Sequence, residues 1–197
     1  MRKLIWSGVL ALGLTVGVSA QADSGWGFYG SYWEPADVSG AFGVGGGISM
    51  EMIPNLRLDI RATSFSNLEK ENAAGTSSLD VVPLEAIFLV VAPLAGRWGV
   101  YGGGGIGYYF ISGDFSPNEG EGNVAVEPDN EIGGIILAGT EFNVVDNQRL
   151  RGSSRTTLFA EVTGRFVEAN DAMVKSGSTD NADLSGVGAN VGLMVRW

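Results

Sequence analysis

The chain contains no cysteine and no histidine. The first absence excludes a disulfide-stapled scaffold and a thiol nucleophile, and leaves stability to another form of closure. The second removes the side chain most often used as general base and as metal ligand. Charge is sparse, 17% of residues, and uneven, with 12 basic against 22 acidic residues. A field of that sign disfavours nucleic acid and acidic partners. Long apolar runs are also missing beyond the N-terminus. The longest that is uncharged and mainly apolar, Ala86 to Gly96, interrupted by Pro93, falls well short of the roughly 18 residues expected of a helical span.

What is present begins with Met1-Arg2-Lys3, an apolar stretch from Leu4 to Val18, and then small residues. This is the layout of a secretory signal peptide. Ala20-Gln21-Ala22 fits the small-x-small cleavage pattern and predicts a mature start at Asp23; Val18-Ser19-Ala20 offers a site two residues earlier. The apolar stretch is short for an anchor, which needs about 20 residues. The expected organisation is therefore a signal peptide over 1–22 and one domain over 23–197.

Hydrophobic residues make up 45% of the chain and 31 residues are glycine, so apolarity without long runs has to be dispersed. A closed β-barrel is the one membrane-spanning architecture besides the helix that pairs every backbone N–H and C=O within the protein. Period-two alternation supports it, in eight segments of roughly 9 to 12 residues. In the clearest, Phe42, Val44, Gly46, Ile48, Met50 and Met52 share one face, and Ala41, Gly43, Gly45, Gly47, Ser49 and Glu51 the other. The next places Leu56, Leu58, Ile60 and Ala62 outward and Arg57, Asp59, Arg61 and Thr63 inward. The remaining strands are expected at Trp26 to Trp33, Leu79 to Val90, Trp98 to Ile111, about Ile132 to Phe142, Thr156 to Val167, and Val187 to Trp197. Pro83 is awkward in a central strand and predicts a bulge or bend there.

The strand Trp26-Gly27-Phe28-Tyr29, the run Tyr101-Gly102-Gly103-Gly104-Gly105-Ile106-Gly107-Tyr108-Tyr109-Phe110, the strand Leu158-Phe159-Ala160-Glu161-Val162 and a terminal aromatic strand carry a resemblance. Over essentially the whole mature chain the pattern resembles the OmpA/OmpX-like small outer-membrane barrels. The resemblance implies an all-β, antiparallel, up-and-down transmembrane barrel of eight strands, located in the bacterial outer membrane. It implies outer-membrane lipid and the outer-membrane assembly machinery as partners, with Trp197 as the assembly signal where the family more often ends in Phe. A monomer is expected, with no cofactor; the motifs name no surface ligand.

Longer loops should lie outside the cell. They are expected at Glu34 to Gly40, Ser66 to Ser78, Ser112 to Glu131 and Glu168 to Asp183, holding 14 acidic residues against two Lys. The inner turns, near Pro54, Ala92 to Arg97 and Asn143 to Arg155, carry Arg97, Arg149, Arg151 and Arg155 against Asp146. The last is long for a periplasmic turn. Neither Pro117 to Gly122 nor Glu127 to Glu131 has the ligand order of a calcium loop, so no metal site is expected. Gly102, Gly104 and Gly107 satisfy G-x-G-x-x-G, but the fingerprint needs a helix opening within it, whereas Tyr108-Tyr109-Phe110-Ile111 continues a strand. These glycines are expected to make room for large inward side chains.

Inward alternation also collects Glu51, Asp59, Glu85, Glu141 and Glu161 with Arg57, Arg61, Arg165 and Arg196, five negative and four positive groups. Buried ions cost several kcal/mol each unless paired, so a paired, filled interior is expected, with ion or apolar-solute passage as the alternative. The barrel enzymes of outer membranes, the lipid A deacylases, phospholipases, palmitoyltransferases and omptins, rely on a histidine that this chain lacks. No catalytic residue is assigned. Deleting Trp197 should lower the yield of folded protein in cells more than Trp197→Phe does, read as heat-modifiable migration on gels; equal yields would contradict an assembly role.

Overall fold

The computed structural model describes residues 24–72, 75–117, 124–126, 129–146, 155–175 and 178–197; the expected signal peptide lies outside them. Eleven strands run through the described residues: β1 (Ser24–Pro35), β2 (Ala41–Ile53), β3 (Leu56–Asn72), β4 (Gly75–Pro93), β5 (Trp98–Pro117), β6 (Val124–Val126), β7 (Glu131–Asp146), β8 (Arg155–Phe166), β9 (Glu168–Lys175), β10 (Ser178–Asp183) and β11 (Gly186–Arg196). Eight of them, β1, β2, β3, β4, β5, β7, β8 and β11, pair antiparallel in that order, and β11 pairs with β1 to close the ring. β6 lies along the outer end of β5, and β9 with β10 forms a hairpin between β8 and β11.

The pairing register sets the width of this ring. From Trp26 it passes through Ile48, Ile60, Ala86, Ile106, Gly134 and Phe166. Extending the β8–β11 and β11–β1 ladders by one residue returns it to β1 at Ala36, ten residues above its start, where the Ala36 N–H donates to Ser185 O. Eight strands with such a stagger tilt by about 40° and enclose a space that side chains can fill.

Outside, an apolar belt is bounded by two aromatic rings. Trp26, Trp98, Phe142 and Trp197 mark the inner ring, with Trp98 and Phe142 4.8 Å apart. Tyr32 with Phe42, and Tyr108 with Phe110, at 5.0 and 4.9 Å, mark the outer one. From Trp98 to Phe110 a tilted strand climbs roughly 30 Å, which matches the apolar height of an outer-membrane barrel. Between the rings Val44, Ile106, Val162 and Val191 are exposed, as a lipid-facing surface requires.

Above the outer ring the alternation inverts. On β4, Glu85 faces inward and Leu84 and Phe88 face outward. Higher up, Leu79 and Val81 are buried, while Ser78 and Asp80 take the outer face. On β5, Ile111 is buried and Ser112 and Ser116 are exposed. Trp33, Phe65, Leu68, Leu79, Val81, Ile111 and Leu184 form one buried apolar cluster. β9 reaches β4, β5, β6 and β7, so its hairpin crosses the mouth. The segment after β1 stitches the rim: Asp37 N–H donates to Asp183 O, and Ser39 N–H to Glu69 O.

Three of the expected outer loops are therefore corrected. The segment Ser66 to Ser78 is mostly the paired ends of β3 and β4, joined down to Asn72 and Gly75. Much of Ser112 to Glu131 belongs to β5 and β6, and Glu168 to Asp183 to the β9–β10 hairpin. The cause is the apolar cluster, which gives these segments a core and makes their backbone pairing favourable. The inner turn expected at Asn143 to Arg155 is shorter, because β7 runs to Asp146 and β8 starts at Arg155; Arg149 and Arg151 lie outside the described residues. The irregularity expected at Pro83 falls on its partner strand. The β3–β4 ladder has no pair at Pro83, and β3 shifts register between Phe65 and Leu68, where Asn67 adopts the left-handed backbone at φ 62°.

Leu68, read from sequence as a loop residue, is fully buried in the cluster. Leu68→Ala should cost about 2–5 kcal/mol, as for other buried leucines. Urea unfolding of the refolded barrel measures it; a change under 0.5 kcal/mol, on the order of a surface substitution, would show that the outer end has no core.

Candidate functional site

Successive inward positions on one strand lie about 7 Å apart, and on β3 these are Arg57, Asp59 and Arg61, so one carboxylate sits between two guanidiniums. Arg57 Nε lies 3.1 Å from Asp59 Oδ1, and Arg61 Nη2 lies 2.8 Å from Asp59 Oδ2. The neighbouring walls extend the row in both directions. Toward the inner mouth, Glu141 on β7 accepts from Arg57 Nη1 at 3.0 Å and from Arg196 Nη2 on β11 at 2.8 Å. Toward the outside, Arg61 Nη1 donates to Glu161 on β8. Arg196, Glu141, Arg57, Asp59, Arg61 and Glu161 thus alternate in charge along the lumen.

Neutral groups take up the remaining acceptors. Glu161 accepts from Tyr101 at 2.9 Å and from Asn190 at 2.7 Å, and Ser49 donates to Asp59 at 2.8 Å. A second cluster lies nearer the outer ring. Arg165 reaches both oxygens of Glu85, with Nε at 2.8 Å and Nη2 at 3.3 Å. Its guanidinium also lies over the rings of Trp33 and Phe65, at 5.4 and 5.5 Å, which joins the polar interior to the apolar cluster above it. The β4, β5 and β7 wall is apolar instead, through Ile87, Leu89, Ile135 and Leu137.

Eight of the nine inward charges are brought together in these two clusters. The ninth is a correction. Glu51 is only partly buried, lines a cavity at the inner mouth, and makes no ion pair among the described residues. The sealed interior therefore balances at four against four, rather than carrying the excess negative charge expected from alternation. Glu51 lies one inward position beyond Ser49, opposite Arg57 at the inner end of β2, where the ladder shifts register before Ile53 and the cavity opens.

Sequence reasoning missed the tyrosine hydroxyls. Tyr101 and Tyr109 are buried in the interior, on the face of the strand Trp98 to Ile111 that period-two alternation sets opposite Val100, Tyr108 and Phe110. The glycines opposite such rings act as recesses. A Cβ at Gly45 would lie 2.5 Å from the Tyr29 ring, and one at Gly139 would lie 2.6 Å from Tyr101. The G-x-G-x-x-G run lies wholly within β5, with no helix for a phosphate to cap.

Two spaces remain. One, about 10 Å³ beside Asp59 and Arg61, has room for roughly one water. The other, about 200 Å³, opens at the inner mouth.

No protein-family model matches the chain, and no curated protein matches it. Solved structures do. The outer membrane protein OprG from Pseudomonas aeruginosa superposes at a TM-score of 0.61 with 10% identity, covering 89% of this chain and 96% of that one. Neisserial surface protein A gives 0.52 with 12% identity over 90% and 96%. Ail of Yersinia pestis, in complex with the heparin analogue sucrose octasulfate, gives 0.51 with 12% identity over 90% and 100%. At these identities the likeness is one of fold, and the fold is that of the small outer-membrane β-barrels. Together with the lipid-facing belt between aromatic rings, it places the chain in the bacterial outer membrane.

Arg61→Met should destabilise the barrel by about 3–5 kcal/mol, since it leaves Glu161 buried without a cation. Adding Glu161→Gln should restore more than half of the loss. Urea unfolding of the refolded variants checks this, and a double variant no more stable than the single one would contradict the pairing.

Proposed function

We propose that this protein is a non-enzymatic, non-conducting outer-membrane barrel that holds a folded, acidic dome at the cell surface. The observation that carries this reading is the double closure of the lumen. Charged pairs occupy the membrane-spanning part, and the apolar cluster with the β9–β10 hairpin covers the outer mouth. A continuous water path would have to break several pairs together, each leaving an ion poorly solvated. The chain would reach the membrane through a cleaved signal peptide over 1–22, with Trp197 read by the assembly machinery, and would stand in lipid as a monomer.

The exposed carboxylates of the dome, among them Glu34, Glu69, Asp129, Glu168 and Asp183, favour a basic partner or one bridged by divalent cations. They disfavour a polyanion such as the sulfated ligand bound to Ail. At Asp183, the hydroxyl and backbone N–H of Ser185 hold the carboxyl below the usual carboxylate range, so it stays ionised into mildly acidic conditions. Passage of ions or small solutes is the second reading. The inner cavity favours it, but the paired row stands directly above that cavity.

Planar-bilayer recording of the refolded protein tests the proposal. The expected resting conductance is near zero. Large, stable, solute-permeable openings of the unmodified barrel would overturn it in favour of the transport reading.

A further inference from the structure

The uncharged, mainly apolar run from Ala86 to Gly96 extends beyond the lumen wall and the lipid belt. Its inward residues Ile87 and Leu89 belong to the apolar wall, and its outward residues Phe88 and Val90 to the belt. The run then leaves β4 at Pro93 and enters the turn at Leu94, which is more than half exposed. The Leu94 N–H donates to Trp98 O at 2.9 Å, so this turn residue stands level with the inner aromatic ring. The turn between β2 and β3 has the same character. Glu51 lies opposite Arg57, but Ile53, not Met52, lies opposite Leu56. The extra residue in β2 puts Ile53 on the outer face that Leu56 shares, and Met52 and Ile53 are both more than half exposed. Asn55 closes this turn in the left-handed backbone at φ 68°, and its carbonyl accepts from the Val91 N–H at 2.9 Å. The two apolar turns are therefore tied side by side.

Two observations say what covers this patch. It is continuous with the lipid belt, since Val90 and Leu94 share one face of β4 and its extension, and Ile53 shares the outer face with Leu56. The inner aromatic ring is also interrupted here. Trp26 and Trp197 mark that ring at β1 and β11, and Trp98 and Phe142 at β5 and β7, whereas neither Trp nor Tyr occurs from Ile48 to Leu58 or from Ala86 to Gly96. Rings with a polar edge hold a strand at headgroup level. Without them, and with Glu51 and Arg57 turned inward, no outward side chain on this arc favours the headgroups over the acyl region. We propose that the turns at Ile53 and Leu94 insert into the periplasmic leaflet of the membrane, so that the barrel is seated deeper at β2, β3 and β4 than at β1 and β11. Backbone groups that enter lipid need partners within the protein, and the Leu94–Trp98 and Val91–Asn55 hydrogen bonds provide two of them. The partner of this rim is phospholipid, and the seating is independent of conductance and of the dome.

The chain has no cysteine, so Ile53→Cys and Leu94→Cys can each carry a nitroxide label at a single site. The labelled barrels are refolded into phospholipid nanodiscs. EPR then reads collision of the label with oxygen, which concentrates among acyl chains, and with a water-soluble nickel chelate. Val90→Cys in the belt and Ala36→Cys on the dome, both exposed positions, set the two ends of the scale. The labels at Ile53 and Leu94 should match the Val90 label, with an oxygen-to-nickel ratio several-fold above that at Ala36. Heat-modifiable migration verifies that each variant is folded, and if one of the two turn variants is not, the other decides alone. A ratio like that of Ala36 at either turn would overturn the proposal. Shielding from both reagents would overturn it as well, in favour of a second protein surface on the rim.

Discussion

Arg61 holds Asp59 on one side and Glu161 on the other, and the rest of the interior depends on that contact. In lipid, no backbone or charged group can turn to solvent, so the chain has to supply every partner itself. The narrow ring imposed by eight strands and a ten-residue stagger brings residues from β3, β7, β8 and β11 within reach of one another. Once Asp59 and Glu161 are fixed by Arg61, Arg57 is directed to Glu141, and Glu141 in turn to Arg196. The small residues around this row serve the same constraint. Gly45 and Gly139 accept the tyrosine rings that complete the packing.

The second constraint is a change of solvent along each strand. Between the aromatic rings the outside is hydrocarbon and the inside is polar. Above the outer ring, water lies outside and the interior turns apolar. A strand meets this change by exchanging the chemistry of its two faces while its backbone pairing continues, as β4 does between Glu85 and Val81. Arg165 sits at the junction, paired with Glu85 below and lying over Trp33 and Phe65. The result is a membrane barrel continuous with a water-soluble β-structure, with no hinge required between them.

Much of the membrane-spanning part was legible in the sequence, because period-two alternation is unambiguous where one face meets lipid. The inward set on β3 and the outward set on β2 lie where the pattern places them. What alternation does not convey is which charges meet, since partners such as Arg57 and Glu141 are far apart in sequence and converge only through the stagger of the ring. Parity could have placed Tyr101 and Tyr109 inside. The dome was hidden for a different reason: Leu68 stands among Asn67, Glu69, Lys70 and Glu71, so its segment, with an inverted pattern, read as a hydrated loop. Glu51 shows the limit of parity alone, which gives a side chain's face but not its depth.

Function follows from where the protein is closed and where it is open. The outer mouth is covered, the middle is filled with paired charges, and the inner mouth keeps a small cavity lined by charged side chains, the arrangement on which the proposed non-conducting role rests. The claim on which this asymmetry rests is that the outer segments form a core and do not behave as mobile loops. Amide hydrogen exchange of the barrel in lipid nanodiscs measures it most directly. The account requires Leu68, Leu79 and Val81 to be protected for hours, as the membrane-spanning ladder is; exchange of these amides within seconds, while the ladder stays protected, would contradict it.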